Sequence, residues 1–67
     1  MKNKISVLRK EHGLTQQALA EQLHVSRQTI ISLENGKYNP SILLAYHIAK
    51  IFELTIEEVF LFEEEQG

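Results

Sequence analysis

Apolar residues recur at helical spacing through almost the whole chain, interrupted by short polar or glycine-containing joints. Ile5 and Leu8 predict a first helix from about Asn3 or Lys4 to His12, with Gly13 as its left-handed stop. Ala18, Leu19 and Leu23 share one face of a second helix, Gln16–Leu23. Ile30 and Leu33 mark the inner face of a third, from Arg27 to about Asn35. Thr15 and Ser26 precede these two helices, and each offers a side-chain oxygen to the free N–H groups of the first turn. The connection Leu23-His24-Val25 contains neither Pro nor Gly, and Val25 is placed to plug it.

Ser41 is the expected cap of a fourth helix reaching about Phe52, with Ile42, Ala45, Ile48, Ala49 and Phe52 as its inward stripe. Leu43, Leu44, Tyr46 and Ile51 then exceed what a free monomer needs, so some are expected to cover a second contact. Leu54 fills the next joint. Thr55 and Glu58 form a capping box for a short fifth helix, about Ile56 to Phe60. Phe60 and Phe62 alternate about Leu61 in strand fashion, and Met1 to Asn3 are candidates to pair with them. An apolar end beside surplus apolar surface points to a twofold contact between copies, the alternative being that Phe60 and Phe62 close the monomer's own core. Its expected residues are Leu43, Val59, Phe60, Leu61 and Phe62, with 56–63 as the dimerisation element.

The tight turn forces the third helix across the second at a steep angle, a helix-turn-helix arrangement. The outer face of the third helix then carries Arg27, Gln28, Thr29, Ile31 and Ser32, rather than the Glu and Lys of a solubilising face. The major groove of B-DNA offers acceptors, donors and thymine methyls, and admits one helix. Arg27 suits guanine O6 and N7, Gln28 suits adenine N6 and N7, and Thr29 suits a phosphate or a thymine methyl. Ile31 either packs on thymine methyls or is a tolerated exposed residue; Ser32 suits a base edge or a phosphate. The loop Asn35-Gly36-Lys37-Tyr38-Asn39-Pro40 offers Lys37, Tyr38 and Asn39 to the sugar-phosphate backbone, or is a solvated turn. Gln16 and Gln17 lie in the first turn of the second helix, where free N–H groups and the helix dipole attract anions.

Leu14-Thr15-Gln16-x-x-Leu19-Ala20, Val25-Ser26-Arg27-x-Thr29-Ile30 and Leu33-Glu34-Asn35-Gly36 together resemble the Cro/CI (XRE-like) class of helix-turn-helix regulators. The likeness runs from about Ile5 to Phe60, and within the class it is nearest to very short regulators of the cytolysin-repressor type. It implies an all-α, five-helix, lambda-repressor-like domain, with room for a short terminal β-strand. It also implies DNA contacts at Gln16, Gln17, Ser26, Arg27, Gln28, Thr29, Ile31, Ser32, Asn35, Lys37, Tyr38 and Asn39. In such proteins the position of Gln17 commonly touches phosphate and supports the recognition helix. The position of Arg9 usually pairs with that of Glu34; a phosphate contact is the alternative for Arg9. Short relatives are dimers that bury their C-terminal end.

Charge first argues against a nucleic-acid partner, because the net value over 67 residues is −2. Its distribution changes the picture. Residues 1–40 carry Lys2, Lys4, Arg9, Lys10, Arg27 and Lys37 against Glu11, Glu21 and Glu34, a balance of +3. Residues 41–67 carry Lys50 against Glu53, Glu57, Glu58, Glu63, Glu64 and Glu65, a balance of −5. Such a domain can turn its basic half to phosphates. Sixty-seven residues with 43% hydrophobic content make one domain, 1–67, that is marginal unless well packed, bound or oligomeric.

Catalysis finds no support. The chain has no Asp and no Cys, His12, His24 and His47 are far apart in sequence, and Glu57-Glu58 diverge on a helix. No metal, cofactor or small-molecule ligand is expected, and Glu63-Glu64-Glu65 reads as a solvated tail. The start Met1-Lys2-Asn3-Lys4 lacks the apolar stretch of a signal peptide, and no run is long enough to span a membrane, so cytoplasm is expected. The expectation is therefore a homodimer reading a near-palindromic operator in double-stranded DNA and repressing by occupancy. The competing expectation is a protein-interaction module of the same fold, such as an antitoxin-like partner.

Overall fold

Four helix starts in the computed structural model are fixed by a hydroxyl on the residue before the helix. Residues 1–62 are described. Five helices follow one another: α1 (Ile5–Glu11), α2 (Gln16–Leu23), α3 (Arg27–Glu34), α4 (Ile42–Ile51) and α5 (Ile56–Val59). Thr15 accepts from the Ala18 N–H, Ser26 from Thr29, Ser41 from Leu44 and Thr55 from Glu58. Glu58 returns a carboxylate to the Thr55 N–H at 2.8 Å, which completes the expected capping box.

The helices meet on Ile5, Leu19, Leu23, Ile30, Leu33, Ile48, Phe52, Val59 and Phe60, all buried, together with Ala20, Ala45 and Ala49. α3 lies against α2 and α1, while α4 joins α2 to α5. Val25 is half-buried against this core, as its place in the turn predicts. The turn itself is closed without a glycine. His24, with φ 58° and ψ 40°, takes the left-handed conformation normally given to glycine. Glu53 ends the α4 joint in the same region, at φ 57°.

The two ends of the described chain pair with each other. Asn3 and Phe60 form an antiparallel bridge, flanked by Lys4 N–H to Val59 O at 2.8 Å and Leu61 N–H to Lys2 O at 2.9 Å. This pairing turns Phe60 inward and leaves Phe62 outward, following the alternation of a strand. Val59 and Phe60 are therefore core residues, 0% and 1% exposed, and cannot offer side-chain surface to a second copy. That corrects their expected place in a dimer contact. Ile42 is corrected the other way: it is 79% exposed, and the inward stripe of α4 is Ala45, Ile48 and Ala49. Ile42 instead borders an open cleft of about 270 Å³ shared with Pro40, Ile56, Phe60 and Phe62. Leu44 and Ile51, expected among the surplus, pack against the core. The expected acidic tail, Glu63-Glu64-Glu65, and the last residue of the 56–63 element lie outside the described residues.

Candidate nucleic-acid interface

Ile30 and Leu33 anchor α3, both fully buried, and thereby fix which side of the helix looks outward. At 100° per residue, Gln28 stands nearly opposite that anchor, with Arg27 and Ile31 to one side and Ser32 to the other. Arg27 and Gln28 are exposed, whereas Ile31 and Ser32 are half-buried. Ile31 is thus less exposed than the sequence suggested, a methyl-bearing shoulder of the ridge. Thr29 sits on the flank, and its hydroxyl shares a 2.9 Å hydrogen bond with the Ser26 hydroxyl. Ser26 also accepts from the Thr29 N–H at 3.1 Å, so this pair primarily shapes the helix start.

Arg9 and Glu34 tie α1 to the end of α3. Arg9 donates through Nε to Glu34 Oε2 at 2.7 Å, and the two side chains are only 11% and 8% exposed. A second guanidinium nitrogen of Arg9 donates to Leu14 O at 2.8 Å. The other oxygen of Glu34 accepts from Gln16 Nε2 at 3.1 Å, and Gln16 Oε1 accepts from Arg27 Nη2 at 3.4 Å. The chain of contacts therefore runs Arg9, Glu34, Gln16, Arg27, from α1 to the exposed edge of α3. The amide of Gln16 has no freedom to flip here, since only its NH₂ can meet a carboxylate and only its oxygen can meet a guanidinium.

This network corrects one expectation. Support of the recognition helix falls to Gln16, not Gln17. Gln17 is exposed and donates to Glu21 Oε2 one turn along its own helix, at 3.2 Å. Adjacent glutamines point about 100° apart, and only the first faces α3.

Beyond α3 the chain turns at Gly36, φ 74°, and exposes Lys37, Tyr38 and Asn39, as well as Asn35 at the helix end. The segment is tethered from an unexpected direction. The Met1 ammonium donates to Gly36 O at 2.8 Å and lies 3.4 Å from Asn39 Oδ1. Asn3 Nδ2 donates to Leu33 O at 2.8 Å. Nothing in local spacing signals these contacts, which span about half the chain.

The start of α2 thus meets α3 through Gln16, and the exposed Lys37–Asn39 loop follows the other end of α3. On α4 and at the end of the described chain, Ile42, Leu43, Tyr46 and Phe62 remain 79%, 62%, 49% and 43% exposed, and Leu61 is half-buried. Lys50 Nζ lies 5.9 Å from the Tyr46 ring centroid, a cation–π approach at the edge of that apolar strip. Among the described residues no group of three or more His, Cys, Asp or Glu is placed to hold a metal. Nor is any helix long and apolar enough to cross a membrane.

Comparison with known proteins agrees with this arrangement. Residues 5–59 match the helix-turn-helix family. An uncharacterised HTH-type transcriptional regulator of Methanocaldococcus jannaschii is 53% identical over 66 residues, which cover 98% of this chain and 100% of that one. The competence pilus inhibition repressor of Acinetobacter baylyi is 42% identical over 90% of this chain and 54% of its own length. A solved transcriptional regulator from Listeria innocua superposes with a TM-score of 0.75 at 32% identity, over 87% of this chain and 58% of that one.

Proposed function

The chain belongs to the helix-turn-helix family of DNA-binding transcriptional regulators, and from that premise we propose that it reads a near-palindromic operator as a homodimer and represses by occupying it. One observation carries the reading: the side of α3 opposite Ile30 and Leu33 holds Arg27, Gln28, Ile31 and Ser32, a bidentate donor, a bidentate donor-acceptor, a methyl surface and a hydroxyl. These are the group types that distinguish base pairs in the major groove. Gln17, the capped start of α2, Asn35 and the Lys37–Asn39 loop grip phosphates on either side, which sets register without reading bases. Gln16 and Ser26 act mainly by holding Arg27 and the start of α3.

The second copy docks on Leu43 and Phe62, with Ile42, Tyr46 and Leu61 around them. One helix reads only a few base pairs; two half-sites about 34 Å apart require a paired protein. Likeness to the competence pilus inhibition repressor and to a phage immunity repressor favours repression, against one relative of similar identity named as a transcriptional activator.

Operator fragments selected from random DNA provide the test, with Arg27→Ala and Gln28→Ala combined in one variant. Both side chains are exposed, so the variant folds and pairs as the parent does, but it no longer enriches the parent's sequence. Enrichment of that same sequence by the double variant overturns the assignment of the reading residues. Binding that is insensitive to salt would instead favour an apolar protein partner, since phosphate contacts release counterions.

A further inference from the structure

The last turn of any helix leaves carbonyls without intrahelical partners, and the last turn of α3 borders the loop proposed to grip phosphate. Its closure is unusual in using a side chain from the other end of the chain. Leu33 O accepts from the Gly36 N–H at 3.0 Å and from Asn3 Nδ2 at 2.8 Å. Asn3 is fully engaged by its other contacts. Its second amide hydrogen reaches Met1 O at 3.1 Å, and its Oδ1 accepts from the Ile5 N–H at 3.0 Å. No donor of this side chain is left for a phosphate. Its backbone is held by the bridge to Phe60, so the amide projects from a fixed anchor toward α3.

We propose that Asn3 is a positioning residue for DNA reading. Without touching DNA, it clamps the C-terminal end of the recognition helix to the paired chain ends. The tilt of α3 and the seat of the Lys37–Asn39 loop are then set together. This rests on α3 being the reading helix.

Two variants separate the clamp from the start of α1. Asn3→Asp and Asn3→Ser both keep an oxygen for the Ile5 N–H; the carboxylate has no donor for Leu33 O, and the serine hydroxyl ends one bond short of where Nδ2 stands. Affinities for a selected operator and for an unrelated duplex are measured with Arg27→Ala alongside, at fixed salt and at a temperature where melting curves show each protein folded. Amide hydrogen exchange is followed at Gly36 and Lys37, whose N–H groups close the end of α3 on Leu33 O and Ser32 O. Loss of one such hydrogen bond predicts roughly three- to tenfold weaker operator binding and a lower operator-to-unrelated ratio. It also predicts faster exchange at Gly36 and Lys37, with Leu19 and Ile30 unchanged. A role limited to overall stability would move neither the ratio nor exchange at those two amides alone. Parent-like binding and exchange in both variants, beside a disabled Arg27→Ala, overturns the proposal. Unfolding of both variants also overturns it, because Asn3 would then serve the whole fold. Retained operator preference in Arg27→Ala removes the reading on which the proposal rests and takes it down as well.

Discussion

Glu34→Ala should cost this domain about 3 kcal/mol, the low end expected when one partner of a buried ion pair is removed. The low end applies because Arg9 is still 11% exposed and keeps its 2.8 Å hydrogen bond to Leu14 O. Unfolding entropy for a domain of this length is about 0.14 kcal/mol per degree, so the melting temperature should fall by about 20 °C. Arg9→Met with Glu34→Met removes both charges, keeps similar volume and should stay within about 1 kcal/mol of the parent. Glu34→Met alone should cost about as much as Glu34→Ala, since it too leaves Arg9 unpaired, so the cycle of Glu34→Met and Arg9→Met gives a coupling energy of about 2 kcal/mol or more. Urea unfolding followed by circular dichroism measures it, at one protein concentration because pairing would otherwise shift the midpoint. DNA binding should follow a different pattern. The double variant recovers stability but not full operator affinity, because Gln16 has lost the carboxylate that holds it beneath Arg27. A Glu34→Ala cost below about 1 kcal/mol, or a double variant costing the sum of the singles, would refute this account of the pair.

Three further outcomes follow from the geometry. His24→Gly relieves a left-handed conformation at φ 58° and should stabilise by about 1 kcal/mol, a melting increase of about 7 °C. The Thr55 backbone N–H, and then its hydroxyl, hold the Glu58 carboxyl below its ordinary value of 4.5. The stability this contributes is therefore present above that value and is lost as pH falls through the depressed one. Thermal melts of parent and Glu58→Gln should differ at pH 7 and converge as the solution is acidified below the carboxylate range. Leu43→Glu places a charge on a side chain that is 62% exposed, so folding should change by less than about 0.5 kcal/mol. Sedimentation equilibrium should nevertheless show the proposed dimer dissociating, and operator affinity should fall with it.

Helix starts were legible because a cap is local chemistry: a hydroxyl and an N–H three residues on. Thr15, Ser26, Ser41 and Thr55 all cap as their positions predict. The Arg9–Glu34 pair was legible only through family resemblance, and the structure places its nitrogen and oxygen 2.7 Å apart. What escaped was set by distant parts of the chain. Periodicity put Ile42 inside, but it is 79% exposed, while Phe60, held by its bridge to Asn3, is buried. The same pairing of the chain ends removed Val59 and Phe60 from the outer surface. Gln16 and Gln17 are chemically identical in sequence, and only the crossing of α2 and α3 decides which one reaches Arg27. His24 gave no glycine signal because the turn is forced by the packing of Leu23 and Val25 on either side of it.

The acidic balance of the chain now has a structural answer that bears on how it can find DNA. Glu34 lies on α3 itself, yet its charge is met by Arg9 at 2.7 Å. Glu21 on α2 is engaged by Gln17, while Glu53, Glu57 and Glu58 sit at the α4–α5 end. The carboxylate on the reading helix is therefore neutralised, while Glu21 keeps its charge beside Gln17, and the cations are few: Arg27 and Lys37 are those placed by the proposed contacts. Each phosphate neutralised by a Lys or Arg adds about 0.9 to the slope of log affinity against log salt, so one protomer supplies a dependence that is shallow but not zero. Weak sequence-independent attraction leaves more of the binding to base edges and to the twofold pair. On that argument a monomeric variant should lose operator binding by far more than it loses charge.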